Sequence, residues 1–146
     1  MRVMSAPFGD SSMSIEQNKK IATEFAARFS ATDMAGALEM ISDDATWWVA
    51  GKPGHVPGAG VFTKEQVAGL FRRMAEQFPS GLQMTIKSMI SEGERVAVEL
   101  EGYGELPNGR VYNNEYHMLL TIRGGRITAM REYHDTQHKV ATFFGA

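Results

Sequence analysis

Apolar residues recur at helical spacing through the first half of the chain and at every second position through its last third. Ile21, Phe25 and Phe29, with Ala22 and Ala26 beside them, form one apolar stripe and predict a helix over residues 15–29. Ser14 and Gln17 have the spacing of a capping box at its start. Asp33 can cap a short second helix whose buried side is Met34, Ala37, Leu38 and Ile41. Residues 45–49 are β-branched and aromatic and read as a strand. Residues 51–60 are rich in glycine and proline and form a loop. Thr63 and Gln66 form a second capping box, followed by Val67, Leu70, Phe71, Met74 and Phe78 on a third helix that stops at Pro79-Ser80-Gly81.

The texture then becomes that of a sheet. Residues 82–90 predict a strand, Glu92-Gly93-Glu94 a turn, and residues 95–103 a strand with Val96, Val98 and Leu100 on one face and Glu99, Glu101 and Tyr103 on the other. Pro107-Asn108-Gly109 signals a hairpin into a strand over 111–122. Gly124-Gly125 turns the chain into a last strand over 126–135, and residues 136–144 form a short tail with helical character. Helices first and a strand meander afterwards predict an α+β fold. The expected form is a cone-shaped, curved antiparallel sheet wrapped around three N-terminal helices, enclosing a pocket at its open end.

Bulk composition narrows the setting. A chain of 146 residues is one domain, read as residues 14–146 behind a disordered lead-in over residues 1–13. The net charge of -2 gives no field that would gather nucleic acid or an anionic membrane, and the pairs Lys19-Lys20 and Arg72-Arg73 read as solvated helix faces. No apolar run is long enough to span a bilayer and the start lacks the apolar core of a secretory signal, so the expected location is cytoplasmic. With no cysteine there is no disulfide, thiolate metal site or cysteine nucleophile. His134 and His138 have a metal-like spacing but fall outside one helix, so no metal or cofactor is expected.

Three segments carry a resemblance: Leu106-Pro107-Asn108-Gly109-Arg110-Val111-Tyr112-Asn113-Asn114, Gly124-Gly125-Arg126-Ile127, and Arg131-Glu132-Tyr133-His134-Asp135. Together with the order of elements, they resemble the nuclear transport factor 2-like superfamily, in its SnoaL-like and ketosteroid isomerase-related branch. That superfamily contains isomerases, cyclases, dehydratases, epoxide hydrolases and noncatalytic binding proteins, so the fold leaves function to the residues.

The resemblance nominates a site. Asp135 matches the aspartate that ends the equivalent strand in limonene epoxide hydrolases, where it would act as a base; the alternative is a cap on the tail helix. His117 falls near the oxyanion-hole acid of ketosteroid isomerases, or else is a buried histidine bonded to Glu115 or Tyr133. Glu101 aligns with the first acid of the epoxide hydrolase group, and Glu99 stands where those enzymes carry arginine, which argues against their mechanism. Alternation alone lets both glutamates face either the cavity or solvent; the resemblance implies the cavity, with the odd-numbered polar side chains of the late strands turned inward. Trp47, Tyr103, Glu115 and Tyr133 would shape the pocket, and His55 is the ionisable residue of the loop over 51–60, a possible lid. One of Trp47 and Trp48 should point inward, whether as pocket wall or as core.

The implied function is cofactor-free acid/base chemistry of the isomerase, cyclase or dehydratase type, acting on a mainly apolar, oxygenated or cyclic small molecule. Asp135, His117 and Glu101 would be its catalytic set. The alternatives are a noncatalytic ligand-binding or dimerisation module, and a hydrolase with an altered carboxylate set. A homodimer is the expected assembly.

Overall fold

A computed structural model describes the backbone of residues 2–145 and the side chains of residues 15–145. The elements follow in the order α1 (Arg2–Ser30), α2 (Met34–Glu39), β1 (Ile41–Val49), β2 (Gly60–Thr63), α3 (Lys64–Gln77), β3 (Gln83–Glu92), β4 (Arg95–Glu105), β5 (Val111–Arg123), β6 (Arg126–His134) and α4 (Thr136–Phe144). The side chain of Ser14 and those of the lead-in over residues 1–13 lie outside the described residues. Within α1, Ala22, Phe25 and Ala26 are buried, as their stripe requires.

Two helix starts form as their sequences dictate. Asp33 accepts from the Gly36 amide at 2.9 Å. Thr63 and Gln66 complete a reciprocal capping box, with the Gln66 side chain accepting from the Thr63 amide at 2.9 Å and the Thr63 hydroxyl from the Gln66 amide at 3.3 Å. Ile41 belongs to β1 and not to the buried side of α2, which ends at Glu39 with Met40 as its C-cap. The polar run Ser42-Asp43-Asp44 masks that early start, because the register between Ile41 and Thr46 is irregular there. The short strand β2 had no separate signal, because it begins on the last glycine of the loop.

The six strands form one sheet in the order β2-β1-β6-β5-β4-β3. All neighbours are antiparallel except β1 and β6, which run parallel and join the first strand to the last. Helix α1 packs on β3 and β4, α3 on β1 and β2, and α4 on β5. The sheet therefore carries all its helices on one face, and the core lies between them.

Strand parity decides what that core contains. On β4, Val96, Val98 and Leu100 are buried. Opposite residues on paired strands share a face. Leu100 pairs with Tyr116, and Tyr116 with His134; Val98 pairs with Met118, and Met118 with Glu132. The inner face thus runs through the even-numbered positions of β4 and β5 and through Ile127, Met130, Glu132 and His134 of β6, whose parity changes at the register shift near its start. Gly102 and Gly104 continue that face on β4, where a side chain would not fit. A Cβ on Gly102 would meet Tyr116 at 2.9 Å, and one on Gly104 would meet buried Phe78 at 2.5 Å.

Candidate functional site

A cavity of about 540 Å³ lies between the inner sheet face and the helices. Its size is that of a small-ligand site. Aromatic contacts build its far wall. Phe71 stands edge-on to both Phe29 (5.3 Å) and Trp47 (5.6 Å), and Phe25 is tilted against each of Trp47 and Phe71. Most of the lining is apolar, so the few polar groups in it stand out.

Glu132 is the first of these. Its carboxylate accepts from the Trp47 indole Nε1 at 3.0 Å through one oxygen, and its other oxygen lies 3.0 Å from His134 Nδ1. These two contacts fix the carboxylate plane at the cavity wall. The His134 side chain is 2% exposed, and neither ring nitrogen has an aligned hydrogen bond among the described residues. The Nδ1 contact with Glu132 is close enough for a charge pair yet off the hydrogen-bonding direction. Buried polar atoms are nearly always satisfied. An imidazole that lines a cavity without an aligned partner is available to whatever enters.

Tyr116 and Tyr112 are the second polar feature. Their hydroxyls are 2.5 Å apart, and Asn114 Nδ2 donates to Tyr112 Oη at 2.9 Å. Burial pushes the Tyr112 hydroxyl up to about 12, and it pushes Tyr116 well above the ordinary phenol value. Both phenols are therefore neutral donors near neutral pH. The Tyr116 ring centroid is 5.6 Å from that of His134, its cross-strand partner. Potential proton acceptor and potential oxyanion donor thus stand side by side.

Helix α4 closes one side of the cavity with Lys139, Phe143 and Phe144. Three local devices place it. Asp135 Oδ1 accepts from the Gln137 and His138 amides at 3.0 and 3.1 Å. Arg110 donates to the carbonyls of Thr142 and Gly145 at the far end. His138 stacks on Tyr112 with a 5.4 Å centroid separation and accepts from the Asn113 amide through Nε2.

The expected inward direction of the odd-numbered late-strand residues is overturned. Glu99, Glu101, Tyr103, Glu115, His117 and Tyr133 all stand on the outer face, and none lines the large cavity. The reason is solvation. With helices on one side only, the Val96-Val98-Leu100 face of β4 must meet them, and the glutamates remain in water. Register then carries the same parity across β5 and β6. Glu99, Glu115, His117 and Tyr133 do meet around a shallow outer depression, where Lys87 pairs with Glu115 at 2.8 Å and Ser88 donates to Glu99 at 3.1 Å.

Asp135 is also corrected. It is the N-cap of α4 and lies outside the cavity lining, so the capping alternative describes its geometry. His55 is exposed in the loop, whose Pro57 and Gly58 reach the cavity instead. Trp47 is the residue of the expected set that lines the cavity. Trp48 points outward and packs against Tyr133 and Arg131. Glu132, His134, Tyr112, Tyr116 and Lys139 went unassigned. The signal for the first four was the valine face of β4 followed across the strands. Among the described residues, no group of three His, Asp or Glu side chains could hold a metal ion, and no helix is long and apolar enough to cross a membrane.

An unclosed, curved sheet wrapped on one side by helices around a ligand-sized cavity defines an α+β cone. The family model of the SnoaL-like domain matches residues 22–130, and the chain belongs to that family. No curated protein matches it. Among solved structures it is similar to Bal32a from a soil-derived mobile gene cassette, at 19% identity and a TM-score of 0.78 over 89% of this chain and 98% of that one. A nuclear transport factor 2-like protein from Burkholderia pseudomallei is 18% identical, with a TM-score of 0.76 over 88% of this chain and 98% of that one. TerC, co-crystallised with polyporic acid, is 19% identical with a TM-score of 0.74 over 86% of this chain and 97% of that one. Likeness at these identities establishes the fold; the chemistry rests on the cavity.

Proposed function

We propose that the chain is an acid/base enzyme that binds a mainly apolar, oxygenated molecule in this cavity and moves a proton next to a carbonyl. Isomerisation, cyclisation or dehydration would follow from that one step. The observation that carries the reading is the Trp47–Glu132–His134 arrangement, a fixed carboxylate beside an imidazole with no aligned partner, in an apolar wall. His134 takes the proton and Glu132 stabilises the imidazolium that results. Tyr116, held neutral by burial and supported by Tyr112 and Asn114, donates to the enolate oxygen as charge develops there. The aromatic wall supplies flat apolar surface for a ring-shaped substrate. TerC's co-crystallisation with polyporic acid is consistent with this use of the fold.

The test is hydrogen–deuterium exchange at the carbon next to the carbonyl, followed by NMR in deuterated water across a panel of cyclic ketones and enones. Catalysed exchange should occur for at least one member. Glu132→Gln and His134→Gln should each lower its rate by about 10²–10⁴-fold, the usual share of general acid–base catalysis. Exchange at wild-type rates in both variants would refute the assignment.

The outer face supports a second reading, a homodimer formed through the sheet. Tyr103, Val111 and Tyr133 are 44%, 45% and 41% exposed there, and Arg131 lies 3.9 Å over the Trp48 ring beside Tyr133. Exposed aromatic and arginine side chains are typical of protein interfaces. Sedimentation velocity of the wild type and of Tyr133→Asp distinguishes the cases: a dimer that becomes a monomer supports it, and a wild-type monomer excludes it.

A further inference from the structure

The charges around the cavity are unequal. Glu132 is its lining acid, and that carboxylate is already engaged by Trp47 and His134. Two basic side chains also line the cavity, Arg73 from α3 and Lys139 from α4. Gln77 stands one helical turn beyond Arg73 and lines the same space. Neither cation makes a hydrogen bond or salt bridge among the described residues, although other lysines and arginines of the chain do. Arg73 and Gly58 are exposed, so these groups mark the rim rather than the floor.

Lys139 is the better placed of the two. It is half-buried, and its ammonium lies against the Gly58 backbone, where an added Cβ would come within 3.0 Å of Nζ. Gly58 has a φ of +83°, a conformation that suits glycine, and its missing side chain leaves Lys139 room at the rim. Burial pushes the Lys139 amine down, and the negative charge of Glu132 only partly opposes this. An ammonium that loses hydration without gaining a close counter-ion is costly unless an anion arrives with the ligand.

We propose that the ligand carries a carboxylate or similar compact oxyanion at one end, held at the rim by Lys139 with help from Arg73, while its apolar body fills the aromatic part of the cavity. This deepens the reading given under Proposed function and rests on it. It predicts amphipathic acids as substrates or products, oriented with the charged end at α4 and the reacting carbon toward His134. Lys139 is then a binding and orienting residue, with no part in the proton transfer.

The experiment compares biphenylacetate with its neutral isostere biphenylacetamide by isothermal titration calorimetry, with tryptophan fluorescence as a second readout because Trp47 lines the cavity. The carboxylate should bind the wild-type chain about tenfold more tightly, the effect of one charge-assisted hydrogen bond. Lys139→Met should reduce that preference to less than about twofold, because the ammonium that distinguishes the carboxylate from the amide is lost. Arg73→Gln, at an exposed helix position that does not threaten folding, should reduce the preference in part. Equal affinity of the two probes for the wild type would overturn the proposal while leaving an apolar ligand cavity intact. So would a preference that survives both substitutions. If neither probe binds, both this proposal and the small-molecule reading beneath it fail.

Discussion

Asn114 is 1% exposed and holds four groups at the place where β5, β6 and α4 meet. Its Nδ2 donates to Tyr112 Oη at 2.9 Å and to the Asp135 carbonyl at 3.1 Å. Its Oδ1 accepts from the Glu115 amide at 2.8 Å and from the Asp135 amide at 3.2 Å. Asn114→Ala removes all four bonds without creating a clash. At a net value of about 1 kcal/mol each, the loss is on the order of 4 kcal/mol. Glu115 and Asp135 are exposed residues, so water can recover part of it, and we expect about 3 kcal/mol. That is a large fraction of the roughly 5–15 kcal/mol that holds a domain together. In a chain of this length it corresponds to a fall of about 9 °C in Tm.

Urea denaturation followed by circular dichroism measures this loss directly, with the slope of the transition checking that the same surface unfolds. The variant should also bind biphenylacetate more weakly than the wild type, because the junction that positions α4, and Lys139 with it, is loosened. A loss below about 1 kcal/mol would refute the view that Asn114 clamps the junction, since each bond would then contribute almost nothing above its replacement by water.

Other outcomes follow from the same packing. Gly104→Ala places a methyl group 2.5 Å from the buried Phe78 ring, with the Gly81 carbonyl at 3.3 Å behind it. It should cost about 1–3 kcal/mol by urea denaturation, whereas an unchanged midpoint would mean that the Phe78 ring moves freely. High pH should unfold the chain through its buried phenols. The Tyr112 hydroxyl is raised to about 12 from an ordinary value of 10, so the folded state holds this proton more tightly than the unfolded state. That contribution is complete below pH 10 and is lost as the pH climbs toward 12, amounting to about 2–3 kcal/mol at ~1.4 kcal/mol per unit. Tyr112→Phe should flatten the decline of stability over that range, and an unaltered decline would show that Tyr112 does not contribute to it.

The local signals in the sequence carried much of the fold. The two helix caps at Asp33 and Thr63, the hairpin at Pro107-Asn108-Gly109 and the turn at Gly124-Gly125 each depend on a few neighbouring residues, and each forms where those residues stand. The start of β1 and the whole of β2 were less legible, because Ser42-Asp43-Asp44 reads as polar loop and Gly60 as the end of one. Alternation on β4 also separated Val96, Val98 and Leu100 from Glu99 and Glu101 correctly into two faces.

Which of those faces encloses the cavity was decided by tertiary structure. Alternation is symmetric, and it cannot say where the helices will lie. A distant alignment of Glu101 and Asp135 to catalytic acids favoured the wrong side, while the burial of valine against α1 dictates the other. Once that side is chosen, backbone pairing transmits it from Leu100 to Tyr116 to His134, and from Val98 to Met118 to Glu132. The site residues lie far apart in the chain, Trp47 and Glu132 by 85 positions, and no local pattern links them. The sequence by itself determined most of the elements and the two alternating faces of β4, because those follow from short-range sterics and period. The identity of the cavity wall came only from packing, because it depends on which face the helices exclude from water.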